Sequence, residues 1–316
     1  MSILITGGGG FMGSHLVSTF LDRGENVVLF SRSLTPTHEG GSGGLVRVRG
    51  DVGSWHEVLN VVRDFHVDRI AHLAALLTMP SEENPWASIN TNAIGMYNVL
   101  EAARLFGVKK VVMTSSMGAY NVTADTIVTE ETAERPVTIY GCCKVFAELI
   151  GLYYHNRFGV DFRGIRVPHI VGPGAKSPSL GQYAPWLIEA VFKGDPFEVW
   201  VPEEFILPML YVKDVIRAFV ELFDAPEERV VSRMYNMGQI FPAPTAKELV
   251  DEVKKHFPEA RITFKPIPRA LSVMDTIPKR FASDRAEKEW GWRPSYSLAA
   301  MVADFIEELK AQKRSG

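Results

Sequence analysis

The chain has 316 residues, 46% of them hydrophobic and 22% charged, with a formal net charge of −3. That is enough for one large or two fused globular domains, and the charge gives no hold on nucleic acid or an acidic membrane surface. No apolar run approaches the roughly 20 residues that span a bilayer, and the chain opens directly into a strand without a signal-peptide pattern, so a cytoplasmic protein is expected.

Residues 2–5, Ser-Ile-Leu-Ile, form a short apolar run that stops at a glycine turn and reads as a buried strand. Residues 11–23 carry helical apolar spacing at Phe11, Leu16, Phe20 and Leu21, and Gly24 follows as a C-cap. The pattern then predicts a strand over 26–30, a loop rich in Gly, Thr and Pro over 35–44, a strand over 46–48, a helix over 55–65 and a strand over 69–73. A long helix over 89–106 stops at Gly107. A fifth strand follows at 110–113, with Ser115-Ser116 at its C-terminal end. A second long helix over 140–158 stops at Gly159, and a sixth strand covers 162–167. Strand and helix alternate throughout, which predicts an α/β fold: a doubly wound parallel sheet of Rossmann type with helices on both faces. The dinucleotide-binding domain is placed at 1–167.

After residue 167 the alternation breaks. Gly172-Pro-Gly174 and Ser177-Pro178 mark a loop. Helices are expected at 183–192, 213–223, 245–256 and 298–309, with short strands near 197–201, before Gly238 and at 261–264. No internal repeat is visible. Residues 168–316 read as a smaller C-terminal substrate-binding lobe, with one return crossing to the sheet near 209–238.

Ligands of such sheets bind at the carboxyl ends of the strands. The glycine turn, Asp51, His72 to Ala75, Ser115-Ser116 and Pro168 all fall at those ends. Gly7, Gly10 and Gly13 lie between a strand and a helix, where a close backbone turn and a helix N-terminus suit a pyrophosphate. The second strand ends in Phe30-Ser31-Arg32, with no acid for ribose hydroxyls. Ser31 and Arg32 suit a 2′-phosphate instead, although Arg32 also reads as a solvated loop residue. Asp51, before Val52, can accept from an adenine amino group or cap the next helix. His72 and His15 read as satisfied core histidines. Tyr140 and Lys144 share one helix face, and an ammonium beside a phenol favours the phenolate, so Tyr140 is expected to move a proton near neutral pH. Cys142 and Cys143 cannot readily bridge each other and have no zinc spacing, so reduced packing thiols and no metal are expected.

These residues resemble the extended short-chain dehydrogenase/reductase superfamily, also called the NAD-dependent epimerase/dehydratase family. The resemblance rests on Thr6-Gly-Gly-x-Gly-Phe-x-Gly13, Gly50-Asp51, His72-Leu-Ala-Ala75, Asn92 with Gly95, Ser115-Ser116, Tyr140-x-x-x-Lys144, Gly172-Pro-Gly174, Tyr211-Val-x-Asp214 and Trp290-Gly-Trp-x-Pro294. It implies Tyr140 as general acid/base and Ser116 as the hydroxyl that holds the reacting oxygen. Lys144 would lower the Tyr140 pKa and bind the nicotinamide ribose. It places Gly7, Gly10, Phe11, Met12, Ser31, Arg32, Asp51, Val52, Leu73, Ala74, Ala75, Asn92, Pro168 and Ile170 around NAD or NADP, with NADP favoured by Arg32. Asn92 matches a helix residue that supports the active-site strand. The family also implies a homodimer through the two long helices.

Within the superfamily, His72-Leu-Ala-Ala-Leu-Leu-Thr78 and Ser283-Asp-Arg-Ala-x-x-x-Trp-Gly-Trp292 look most like the short-chain L-threonine 3-dehydrogenases. Three stretches depart from that pattern. Leu180-Gly-Gln-Tyr-Ala184 stands for Thr-Thr-Asp-Tyr-Ala, Ser31 for an acid, and Asp275-Thr-Ile-Pro278 ends where Ser-Trp-Pro is expected. Thr78, Ser115 and Gln182 are therefore expected to line a pocket for a small-molecule substrate other than L-threonine. The expected function is an NAD(P)-dependent oxidoreductase interconverting a secondary alcohol and a ketone. The alternative is a nucleotide-sugar 4-epimerase or dehydratase with retained NAD. A non-catalytic dinucleotide sensor is disfavoured by the intact Tyr/Lys pair.

Overall fold

The computed structural model describes residues 2–33, 44–176, 179–272, 277–278 and 280–315. The expected loop at 35–44 and the Ser177-Pro178 pair therefore lie almost wholly outside the described residues, as does part of 275–278. The strands are β1 (Ser2–Thr6), β2 (Val27–Ser31), β3 (Leu45–Arg49), β4 (Val67–His72), β5 (Lys110–Ser116), β6 (Ile127–Val128), β7 (Asp161–Val167), β8 (His169–Val171), β9 (Phe197–Val199), β10 (Met209–Tyr211), β11 (Met234–Asn236), β12 (Ile262–Phe264) and β13 (Arg280–Phe281). The helices are α1 (Phe11–Asp22), α2 (Trp55–Asp64), α3 (Thr78–Glu83), α4 (Pro85–Ser88), α5 (Gly95–Phe106), α6 (Ile139–Phe158), α7 (Tyr183–Lys193), α8 (Val212–Asp224), α9 (Ala246–His256), α10 (Pro268–Ser272), α11 (Asp284–Trp290) and α12 (Leu298–Ser315).

Seven parallel strands form the main sheet in the order β11-β7-β5-β4-β1-β2-β3. The order reverses between β1 and β4, which is the switch point where such sheets bind dinucleotides. β1 is buried along its whole length, as a strand covered on both faces must be. One core face unites β1, α1, α7, α8, α9 and α12 around Phe20, Tyr183, Phe219 and Phe305. The other packs α2, α5 and α6 around Phe30, Met96 and Phe162. Gly151 of α6 is needed for this second face, because a Cβ there would meet the Phe162 ring at 2.2 Å.

The expected 89–106 helix is one continuous coil with a change of winding: residues Ile89–Ile94 form a π-turn before α5. Such turns concentrate at functional sites, and this one carries Asn92. Beyond β7 the chain leaves the sheet and returns to it. α8 packs on β5 and β7, and β11 pairs β7 at the edge. The rest of that half uses pairs of two- and three-residue strands, β8 with β10 and β9 with β12, and β13 pairs back to β6 of the first half. No helix among the described residues is long and apolar enough to cross a membrane.

Candidate active site

The turn after β1 has the shape of an anion cradle. Gly7 sits at φ +70°, and a Cβ on it would strike the Ala74 backbone at 2.8 Å. Gly13 lets the helix close onto the turn, since a Cβ there would lie 2.3 Å from the Gly7 carbonyl. Gly10 is the N-cap of α1, with no side-chain cap and no acid in the first turn. The helix N-terminus therefore keeps its partial positive charge for a phosphate, and these residues fit a dinucleotide pyrophosphate. Phe11 and Met12 open that same helix.

Thr6 joins this turn to the end of β4. Its Oγ1 shares a 2.8 Å hydrogen bond with His72 Nδ1 and accepts from the Leu73 and Ala74 amides at 3.3 Å. Burial, with Lys144 nearby, pushes His72 down to about 3, so it stays neutral. Burial also lowers His15. Asn92 is 3% exposed. Its Oδ1 accepts from Leu76 N at 2.8 Å, and its Nδ2 donates to Leu76 O at 2.9 Å. The amide braces the segment after β4 with both of its ends.

At the adenosine end, Arg32 Nη1 lies 3.8 Å from Asp51 Oδ2, with Arg32 exposed and Asp51 half-buried. Asp51 Oδ1 accepts from Gly53 N at 2.9 Å, an Asx turn ahead of α2, whose N-cap is Ser54. Val52 is buried against Gly95, where a Cβ would meet it at 2.7 Å. Ser31 pairs with Arg49 of β3, which adds a second cation on this strand edge.

Ser116, Tyr140 and Lys144 meet at the end of β5. Thr138 caps α6 by accepting from Gly141 N at 3.1 Å. Gly141 itself lets α6 touch the loop after Ser116, because a Cβ there would lie 2.3 Å from Gly118 O. The Ser116 hydroxyl hydrogen-bonds Tyr140 and accepts from Gly118 N at 3.0 Å. Lys144 Nζ donates to Thr114 O at 2.8 Å and lies 5.6 Å from the centre of the Tyr140 ring. Burial pushes the Tyr140 phenol up to about 12, outweighing the Ser116 hydrogen bond. The expectation of a phenol poised near neutrality by Lys144 is thus not met by the protein groups alone. Burial also pushes Lys144 down to about 8, against the opposing pull of Glu148.

On the substrate side, Thr78 opens α3 and lines a cavity of about 550 Å³ with Met79, Ser179, Leu180, Trp200, Ile267 and Arg269. One turn on, Glu82 Oε1 accepts from Ile139 N at 2.9 Å, beside Tyr140. Two expected pocket residues turn elsewhere. Ser115 is 1% exposed and donates to Glu148, because neighbours on a strand face opposite ways and Ser116 takes the site. Gln182 is 2% exposed and donates to Ala175 O at 2.6 Å, so it pins the 172–175 loop. The sequence reading had missed Arg269, whose Nη1 reaches Met79 Sδ at 3.0 Å across 190 residues of chain. The cavity lining among the described residues has one cation and no carboxylate.

Pro168 and β8 continue β7 past the site, with Ile170 paired to Leu210. Cys143 is buried and its thiol is raised by burial, while Cys142 is exposed.

A model of the NAD dependent epimerase/dehydratase family matches residues 3–238. The chain belongs to this family. It is 33% identical to mitochondrial L-threonine 3-dehydrogenase of Bos taurus over 317 residues, covering 99% of this chain and 83% of that one. Among solved structures, the GalE-like L-threonine dehydrogenase of Cupriavidus necator in its holo form superposes with a TM-score of 0.90 at 28% identity, covering 98% of this chain and 100% of the other. A UDP-glucose 4-epimerase of Thermotoga maritima superposes with a TM-score of 0.84 at 22% identity, over 99% of this chain and 100% of that one, a likeness of fold alone. The family member described here is an enzyme of the extended short-chain dehydrogenase/reductase type, and its cofactor is a nicotinamide dinucleotide.

Proposed function

We propose that the enzyme carries out a net interconversion of a small secondary alcohol and a ketone. The observation that carries this reading is the meeting of Ser116, Tyr140 and Lys144 at the end of β5, with α3, which opens the Thr78–Arg269 cavity, packed on α6. In the oxidative direction, the Tyr140 phenolate takes the carbinol proton while Ser116 holds the same oxygen. Lys144 places its charge beside the phenol and next to the cofactor ribose. A bound nicotinamide supplies the hydride acceptor, or the donor in reverse. Gly7, Gly10 and the α1 N-terminus would hold the pyrophosphate. Asp51, Val52 and Leu73 to Ala75 would flank the adenosine and ribose, with Pro168 and Ile170 at the carboxamide.

Arg269 opposite Thr78 suits an anionic group on the substrate. Leu180 presents an apolar side chain to the same cavity. Together with Leu180–Gln182 standing where the threonine enzymes carry Thr-Thr-Asp, this favours a small hydroxy acid as substrate. The test is cofactor-linked turnover on hydroxy acids, amino alcohols including L-threonine, sugars and nucleotide sugars. The runner-up is an epimerase or dehydratase with retained NAD, which shares the first step; the full-length likeness to dehydrogenases favours net redox.

NADP is the cofactor that Ser31 and Arg32 favour. The Arg32–Asp51 pair is long and part-exposed, hence weak, and a 2′-phosphate would compete for the guanidinium. Arg32→Ala is expected to weaken NADP binding about 10- to 100-fold more than NAD binding, as for loss of a charge-assisted hydrogen bond. Ser31→Asp is expected to move preference toward NAD. Titration of both cofactors by fluorescence checks this, and equal losses in Arg32→Ala would show that Arg32 does not read the 2′ position.

A homodimer is the assembly we favour. Phe146, Leu149 and Tyr153 form an exposed stripe on α6, and Tyr97 and Leu105 are exposed on neighbouring α5, a face suited to a second copy. A mass in solution of one chain would contradict it.

A further inference from the structure

Behind the Tyr140–Lys144 face lies a buried charge cluster that the reaction as described does not use. Glu148 follows Lys144 by one helical turn on α6 and is 1% exposed. Ser115 donates to its Oε1. Arg166 donates to its Oε2 through Nε at 2.9 Å and Nη2 at 2.5 Å. The same Nη2 donates to Glu134, and Nη1 donates to Tyr120 Oη at 2.9 Å and to Asn236 Oδ1 at 3.3 Å. Ser115 and Arg166 are direct partners across β5 and β7, so the two strands hold the carboxylate from one side.

The charges explain why such a costly arrangement is present. Burying a carboxylate demands compensation. Here Glu148 and Glu134 share one guanidinium, burial and Glu148 raise the Glu134 carboxyl, and Glu148 is the carboxylate one turn from the lysine. The groups that face Lys144 are Glu148, Cys143 and Tyr140 on α6 and His72 on β4, with Arg166 of β7 and Glu134 of the preceding loop behind Glu148. Of these, Glu148 is the one that opposes the desolvation of the ammonium most strongly.

We propose that Glu148, clamped by Ser115 and Arg166, is a positioning residue that keeps the Lys144 ammonium charged and in place beneath Tyr140. This rests on the functional reading above, in which Lys144 serves the cofactor ribose and Tyr140. Removing the carboxylate takes away the group that most opposes the desolvation of the ammonium. Lys144 then gives up its proton at lower pH, and the cofactor ribose loses the charge that holds it.

The test is NADH binding by fluorescence as a function of pH, in the wild type and in Glu148→Gln, Glu148→Asp, Glu134→Gln and Lys144→Met, with urea melts alongside. Wild-type affinity is expected to fall as Lys144 deprotonates, and Lys144→Met to remove that dependence. Glu148→Gln is expected to move the fall to lower pH by about 1–3 units, the range for loss of an opposite neighbouring charge. Glu148→Asp, which keeps the charge, is expected to restore most of it. Glu134 is part-exposed, so its variant is suited to folding even where Glu148→Gln is not. It is expected to shift the fall the same way by less. A lower urea midpoint with an unmoved pH dependence in both Glu148→Gln and Glu134→Gln would mean the cluster only supports the fold, and overturns this inference alone. A pH dependence that survives Lys144→Met overturns the role given to Lys144 and the inference with it.

Discussion

Tyr140→Phe is expected to lower kcat by about 100- to 10,000-fold, the usual worth of a general acid/base, or about 3–5 kcal/mol of barrier. Cofactor affinity is expected to stay within a few-fold of wild type. The substitution keeps the ring that packs at 8% exposure and removes the hydroxyl that hydrogen-bonds Ser116. The effect therefore falls on the proton and not on the fold. A pH profile sharpens the test. Burial holds the phenol up near 12, and alcohol oxidation needs the phenolate, so the oxidation rate should rise with pH through the Tyr140 titration. Ketone reduction needs the phenol and should fall through the same range. Single-turnover rates in both directions check this. A variant that retains more than about a tenth of the wild-type rate would place the proton relay elsewhere.

Asp214→Ala is expected to cost about 1–3 kcal/mol of stability for each buried donor left without a partner, out of a total of about 5–15 kcal/mol. Asp214 is fully buried on α8. Its carboxylate accepts from Ser295 N at 2.9 Å, Ser295 Oγ at 2.6 Å, Tyr296 N at 3.1 Å and Arg217 Nη2 at 2.8 Å. Its own carbonyl accepts from Trp292 Nε1 at 3.3 Å. The Tyr211-Val-x-Asp214 and Trp290-Gly-Trp-x-Pro294 motifs are thus two halves of one tether. It fastens the segment before α12 to the helix that rejoins the sheet. Removing the carboxylate strands the Ser295 and Tyr296 amides, while Arg217 keeps Glu221 and the Arg293 carbonyl. Urea melts with an unchanged slope and a lowered midpoint are the expected result. A loss below about 1 kcal/mol would mean that water replaces the carboxylate at little cost.

The sheet and the meeting of Ser116, Tyr140 and Lys144 were legible because their signals are local. A strand stopped by a glycine turn, a helix opened by Gly10, and Tyr140 and Lys144 one turn apart need no knowledge of tertiary contacts. The error at Ser115 was avoidable, since strand alternation alone sends Ser115 and Ser116 to opposite faces. Gln182 gave no such warning, because its partner is a backbone carbonyl in a loop. The pairs β8–β10 and β9–β12 are too short to show a period. Arg166 and Glu148 escaped notice because charged residues are ordinarily read as surface. The cavity could not be seen at all: Met79 and Arg269 are brought together only by the folded lobe.

The most direct test of the central claim is a turnover assay with free NAD and NADP in excess over enzyme, run on hydroxy acids, amino alcohols, sugars and nucleotide sugars. The expected result is reduced nicotinamide accumulating well beyond one equivalent per active site with a small hydroxy acid, a weak response to L-threonine, and no accumulation in Tyr140→Phe. Conversion of a nucleotide sugar to its epimer or dehydrated product, without release of reduced cofactor, would contradict net oxidoreduction.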